Sequence, residues 1–132
     1  IKGLGGYLLR EKIVAYATHT EIIVVDNSKL VERLGTKAPV PVEVIRFGWR
    51  NTQTALAHTG AHTTLRMDNG TPYITDEGNY IIDCRYEHGI DSPIALTSAL
   101  NAIPGVVEHG LFLGMVKMVV VASVGGVRIL ER

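Results

Sequence analysis

The segment Glu21-Ile22-Ile23-Val24-Val25-Asp26 limits the fold of this chain more than any other. It is a continuous apolar run of strand length and lacks the alternation of a strand with one wet face. It therefore reads as a strand buried on both faces, as in a parallel sheet. Before it, Lys2-Gly3-Leu4-Gly5-Gly6 is a turn signal rich in glycine. Tyr7 to Thr18 then reads as a helix whose buried face can come from Leu8, Leu9, Ile13, Val14 and Ala15, with Arg10, Glu11 and Lys12 polar. After the strand, Ser28 suits the N-cap of a short helix from Lys29 to Leu34, closed by Gly35. Turn, helix, strand, turn, helix is the rhythm of an open α/β sheet.

The pattern changes at Thr36 to Pro41, where Pro39 and Pro41 predict a stiff extended link. Beyond it the sequence predicts a strand over Val42 to Phe47 and a helix from about Arg50 to His58, ended by Gly60. Strands follow at His62 to Met67 and Asn79 to Tyr86, then a helix at Pro93 to Ile103, with Pro93 in its first turn, and a strand at Val106 to Leu113. This β-α-β-β-α-β order matches a split βαβ, ferredoxin-like lobe. Lys117 to Ala122 and Val127 to Leu130, around the Gly125-Gly126 turn, are further strands able to rejoin the first sheet. The predicted fold is thus α/β: part of an open Rossmann-like parallel sheet (1–38 and 115–132) plus an inserted ferredoxin-like α+β lobe (39–114).

Thirteen basic and thirteen acidic residues give a formal net charge of +0, which removes the usual electrostatic reason to expect nucleic acid or an anionic membrane as partner. Any phosphate-bearing ligand must be held by a local site. Cys84 is the sole cysteine, so no internal disulfide can form and a reducing, cytoplasmic setting is expected. The most apolar run, Met118 to Val124, is too short to cross a bilayer. The chain opens on Ile1-Lys2 without an initiator methionine or a polar leader, and reads as a segment cut from a longer chain.

Ligands of open parallel sheets gather outside the carboxyl ends of the strands. If Ile1 ends a strand, Lys2 and the Asp26-Asn27-Ser28-Lys29 turn share such an edge. Amides at a helix start beside a lysine suit a phosphate or a sugar oxyanion. Glu11, one helical turn beyond Tyr7, can reach a ligand held there. Gly3, Gly5 and Gly6 do not form the dinucleotide fingerprint. Taken singly, each of these residues also has an ordinary reading as a turn or a solvated face. Other candidates are set aside. Gly60 breaks the helix between His58 and His62, so this i, i+4 pair is not expected to bind metal. Cys84 sits in a strand pattern as a small core residue, and Trp49 packs at a helix start. Asn69-Gly70-Thr71 fits a glycosylation acceptor that a cytosolic protein would never present to the enzyme.

Taken together, the residues resemble a known family. Ile1-Lys2-Gly3-Leu4-Gly5-Gly6-Tyr7-Leu8-Leu9-Arg10-Glu11-Lys12 is similar to the lysine, glycine-rich, Arg-Glu-Lys signature of type A ribose-5-phosphate isomerases. Asp26-Asn27-Ser28-Lys29 resembles that family's lysine-bearing turn. Pro39-Val40-Pro41-Val42-Glu43-Val44, Thr75-Asp76-Glu77-Gly78-Asn79-Tyr80 and Asn101-Ala102-Ile103-Pro104-Gly105-Val106-Val107 continue the series in family order, over nearly the whole chain.

The resemblance implies interconversion of D-ribose 5-phosphate and D-ribulose 5-phosphate in the pentose phosphate pathway, without metal or organic cofactor. It implies Glu11 as the general base moving a proton between C2 and C1 through an enediolate, a step for which positioned transfer is worth ~10²–10⁴ in rate. Lys2 would offset the developing oxyanion charge, the backbone of Gly3, Leu4 and Gly5 would line the sugar, and Lys29 would pair with the phosphate. Leu4 stands where many members have glycine. The family's Gly/Ser/Thr-rich phosphate loop and its acidic motif do not occur in these 132 residues. The chain by itself is therefore expected to be inactive or severely impaired. The resemblance also implies a homodimer or homotetramer. A non-catalytic sugar-phosphate sensor is the alternative, and Glu11 separates the two, since a sensor needs no carboxylate over the sugar carbons.

Overall fold

Two main sheets organise the computed structural model, which describes residues 1–131. Helix α1 (Leu8–Ala17) follows the glycine-rich turn and leads to β1 (Glu21–Asp26) and a single 3-10 turn at Asn27–Lys29. The middle of the chain gives β2 (Val40–Val44), α2 (Trp49–Ala57) and β3 (His62–Leu65). A small hairpin of β4 (Met67–Asp68) and β5 (Thr71–Pro72) follows, then β6 (Tyr80–Arg85), α3 (Pro93–Asn101) and β7 (Val106–His109). The chain closes with β8 (Val116–Ser123) and β9 (Gly126–Glu131).

The first sheet has the order β1-β8-β9, with β1 and β8 parallel and β8 and β9 antiparallel. The return of the final strands to β1, expected from sequence, is therefore present. Burial of β1 on both faces is not. Its residues alternate between half-buried and exposed, and Ile22 and Val24 are 50% and 72% exposed. The apolar run specified a strand and its parallel pairing, but no described element covers that second face.

The second sheet has the order β3-β6-β2-β7 and all its pairings are antiparallel. Strand β2 is central and every one of its residues is buried. It begins at Val40, two residues before the predicted start, and includes Pro41. Proline is ordinarily excluded from central strands because it lacks an N–H. Here position 41 needs only its carbonyl, which accepts from the Gly110 amide at 2.8 Å. The core lies between this sheet and its two helices, built from Val40, Val42, Val44, Leu56, Ile82 and Leu100 among others. Helix α3 starts where predicted, with Pro93 in its first turn and the Ser92 hydroxyl accepting from the Ala95 amide at 3.3 Å.

Helix α1 departs from its predicted face. Leu8, Lys12 and Ala15 are the buried residues, whereas Ile13 and Val14 are 59% and 64% exposed. Spacing i, i+4, i+7 makes one stripe, and the lysine occupies its middle because β7 offers a carboxylate, Glu108, directly opposite. The predicted helix over Lys29 to Leu34 is absent beyond the 3-10 turn. The Asp26 carboxylate, not Ser28, caps that turn by accepting from the Ser28 amide at 2.7 Å. Among the described residues, no helix is long and apolar enough to cross a membrane.

Candidate active site

The glycine-rich turn is shaped by packing as much as by freedom of rotation. Gly3 and Gly6 have φ of 83° and 95°, a region that disfavours side chains. A Cβ on Gly3 would stand 2.3 Å from the Leu8 Cβ, and one on Gly6 2.2 Å from the Tyr73 hydroxyl. The Gly6 amide closes the turn by donating to the Gly3 carbonyl at 2.9 Å. Lys2 precedes this turn, and its amide is tied to the Gly110 carbonyl at 2.9 Å. Glu11 lies in the first turn of the helix that follows. The two ends of the motif thus face one another, with Lys2 Nζ 3.6 Å from Glu11 Oε1. The second carboxylate oxygen of Glu11, Oε2, is buried and accepts no hydrogen bond from any described residue.

Lys29 arrives from the carboxyl end of β1, whereas Ile1 and Lys2 lie in no strand. Hydrogen bonding from Ser28 holds the Asp26 carboxyl below the usual carboxylate range and fixes the start of the turn. Lys37 holds its end, donating from Nζ to the Ser28 carbonyl at 2.9 Å and the Leu30 carbonyl at 3.0 Å. These carbonyls would have been used inside the helix that the sequence predicted here. Their capture by a lysine 9 and 7 residues further on is a contact that periodicity does not reveal.

Lys2, Gly3, Leu4, Gly5, Glu11 and Lys29 all line one cavity of about 690 Å³. All six predicted site residues therefore converge, although Lys2 and Lys29 are far apart in sequence. The volume lies in the ordinary range for a small-molecule site. Val25, Leu34 and Phe112 contribute apolar wall. Three lysine ammonium groups, of Lys2, Lys29 and Lys37, and one carboxylate, of Glu11, give a positively biased pocket, suited to a phosphorylated polyol rather than a neutral one.

Several supporting residues carry no sequence signal as isolated positions. Phe112 lines the cavity and sits beneath two cations, Lys2 Nζ at 5.9 Å and Lys12 Nζ at 5.0 Å from its ring centre. Lys12 pairs with Glu108. Burial pulls its ammonium pKa down, and the Glu108 carboxylate opposes that shift. Beside them His109 is 1% exposed, and burial, with Lys12 as the second cause, lowers its pKa to about 4. On the outer side Arg10 pairs with Asp76 and Glu77 at 3.1 and 2.6 Å. The two cations of the Arg-Glu-Lys signature thus anchor α1 on either side, while the glutamate between them turns to the cavity.

The residues set aside behave as ordinary structure. His58 caps α2 and His62 opens β3, separated by Gly60. Cys84 is fully buried, and burial pushes its thiol up to about 12. Trp49 begins α2 and meets Tyr80 edge-on at 6.1 Å. Asn69, at φ 48°, turns the β4–β5 hairpin.

Known proteins resemble this chain over nearly its whole length. Residues 1–126 match the family model described as ribose 5-phosphate isomerase A (phosphoriboisomerase A). The chain is 54% identical over 130 residues to a ribose-5-phosphate isomerase A of Gloeobacter violaceus, covering 98% of this chain and 56% of that protein. It thus spans about half the length of the curated relatives it matches. Among solved structures, the ribose 5-phosphate isomerase A of Methanocaldococcus jannaschii superposes with a TM-score of 0.93 at 43% identity, covering 100% of this chain and 58% of that one. A D-ribose-5-phosphate isomerase in complex with phospho-erythronic acid superposes with a TM-score of 0.95, also at 43% identity and with the same coverages. The chain belongs to the ribose 5-phosphate isomerase A family.

Proposed function

We propose that this chain contributes the proton-transfer and phosphate-binding residues of an aldose–ketose isomerase acting on D-ribose 5-phosphate and D-ribulose 5-phosphate. The observation that carries the reading is the convergence of Lys2, Glu11 and Lys29 on one cavity, with the Glu11 Oε2 buried and without a hydrogen bond among the described residues. In this reading Oε2 takes the proton from C2 of the open-chain aldose. The C–H electron pair forms the C1–C2 double bond, and the carbonyl pair moves onto O1. Lys2 Nζ, 3.6 Å from the same carboxylate, offsets that oxyanion charge. The hydroxyl proton on O2 passes to O1, the pair left on O2 forms the C2 carbonyl, and the C1–C2 π pair takes up at C1 the proton returned by Glu11, giving the ketose. Lys29 pairs with the phosphate, and the backbone of Gly3, Leu4 and Gly5 lies along the sugar. No step calls for a metal or an organic cofactor.

The fold reading belongs to the same proposal. Residues 1–38 and 115–132 form part of a Rossmann-like catalytic domain, and 39–114 an inserted ferredoxin-like lobe. The parallel β1–β8 pair supports the first part, and the β3-β6-β2-β7 order with α2 and α3 as its crossovers supports the second. The enzyme is proposed to be cytoplasmic and a homodimer or homotetramer, the open edges β3 and β7 being available for contact.

The test is formation of ketose from D-ribose 5-phosphate by this chain and by Glu11→Gln. The phosphate loop and acidic motif of the family are absent from these residues, so slow or no turnover is expected from the chain alone. The same pair is then assayed with the upstream segment of a relative supplied. Restored turnover that falls ~10²–10⁴-fold in Glu11→Gln supports the assignment. Equal turnover by both proteins removes Glu11 from the role of base.

A further inference from the structure

The glycine-rich turn is held from outside its own element. Arg66, between β3 and β4, donates from Nη1 to the Leu4 carbonyl at 3.0 Å. Its Nε and Nη2 form a two-bond fork with the Asp83 carboxylate of β6, at 2.8 and 2.5 Å. The Arg66 and Asp83 side chains are 15% and 22% exposed, so this fork is well shielded and its geometry is fixed. The Arg66 backbone is anchored too, its amide donating to the Ile81 carbonyl and its carbonyl accepting from the Tyr73 amide, both at 2.9 Å. Tyr73 in turn fills the space above Gly6, where an added Cβ would meet its hydroxyl at 2.2 Å.

A trans peptide is planar, so its carbonyl and the following N–H point in opposite directions. Fixing the Leu4 carbonyl on Arg66 therefore aims the Gly5 N–H away from Arg66. Without that bond the Leu4–Gly5 peptide could rotate with little penalty, because one of the two residues sharing it is glycine. We propose that Arg66, oriented by Asp83, is a positioning residue that sets the Leu4–Gly5 peptide against the sugar. It thereby also fixes the separation of Lys2 and Glu11 at the two ends of the turn. This rests on the reading of the cavity as a sugar-phosphate site. Arg66 is not among the cavity-lining residues and acts through the turn alone.

The test compares the unsubstituted chain with Arg66→Met, which keeps the apolar stem, and Arg66→Lys, which keeps the charge without the fork. Hydrogen exchange at the Gly6 amide reports the turn, calorimetric titration with phospho-erythronic acid reports the site, and the melting temperature reports the fold. Loss of one hydrogen bond to a charged donor is expected to speed Gly6 exchange and weaken binding, each by about tenfold, in Arg66→Met at little change in melting temperature. Arg66→Lys is expected to recover part of both, and Asp83→Asn to shift both in the same direction as Arg66→Met. Binding at unsubstituted strength by Arg66→Met and Arg66→Lys overturns the positioning role, whether or not the turn has loosened. Absence of binding by the unsubstituted chain overturns the proposal through the reading of the cavity itself. That outcome is told apart by the exchange data, which still register whether Arg66 holds the turn.

Discussion

His109 makes the stability of this protein depend on pH between neutrality and about pH 4, and the sign follows from its surroundings. Its Nδ1 accepts from the Leu111 amide at 3.2 Å, so the neutral ring carries its proton on Nε2, which is buried and makes no hydrogen bond among the described residues. Protonation must give up that accepted bond and add a positive charge beside Lys12 Nζ, 3.5 Å from Nδ1. The folded-state pKa is lowered from 6.5 to about 4 by burial first and by Lys12 second, with Glu108 in partial opposition. Between those two values the unfolded chain binds the extra proton and the folded chain does not, so stability falls as pH drops through this window. By about pH 4.5 the loss from this one group is about 2–3 kcal/mol, because each tenfold difference in proton affinity between the two states is worth about 1.4 kcal/mol. In a domain of this size that corresponds to a fall in Tm of roughly 10 °C.

The assay is the melting temperature of the chain and of His109→Gln at steps from about pH 7.5 to about pH 4.5. Carboxylates titrate in both proteins, so the difference between the curves isolates the histidine. The unsubstituted protein is expected to lose stability relative to the variant across the window, and its His109 ring resonances should not titrate above about pH 5, in line with the lowered value. Parallel melting curves across that range would refute the argument. They would mean that Glu108, whose Oε1 is 3.9 Å from Nε2, compensates the buried charge in full.

Two further outcomes are expected. Gly110→Ala places a Cβ 2.3 Å from the Lys2 carbonyl and 2.7 Å from the Pro41 ring, so it should lower the denaturant midpoint by the equivalent of about 1–3 kcal/mol. If the cavity takes sugar phosphates as proposed, it should also weaken binding of phospho-erythronic acid, because Lys2 is the residue displaced; an unchanged midpoint would count against the close approach. The Cys84 thiol, buried and pushed up to about 12, should resist a disulfide reagent at about pH 8 in the folded protein and react fully once denaturant is added. Rapid labelling without denaturant would show that β6 opens readily.

Much of this molecule is legible in the sequence for reasons that are local. The apolar run at Glu21–Asp26 could only be a strand, and Ser92-Pro93 marks a helix start through a hydroxyl cap and a preset φ. The spacing from Lys2 to Glu11 places a carboxylate one helical turn past the glycine-rich turn, where the structure has it. Family motifs then link Lys29 to the same site. Where local signals compete with distant partners, the local reading fails. Lys12 is polar and its pattern points to solvent, yet it is buried because Glu108 on β7 and the Phe112 ring just beyond that strand receive it. The helix after Ser28 does not form because Lys37 captures its carbonyls. Pro41 enters a central strand because position 41 there uses its carbonyl alone.

The sequence by itself determined most of the helices, strands and turns, though not the helix it predicted over Lys29 to Leu34, and which residue types can carry the chemistry, because propensity, capping and periodicity act over a few residues. The tertiary structure alone decided the size and walls of the cavity that Lys2, Glu11 and Lys29 share, that the Glu11 Oε2 accepts no hydrogen bond among the described residues, and that Arg66 reaches the Leu4 carbonyl. Those facts depend on contacts between residues distant along the chain, whose formation rests on how the two sheets pack rather than on any pattern within one element.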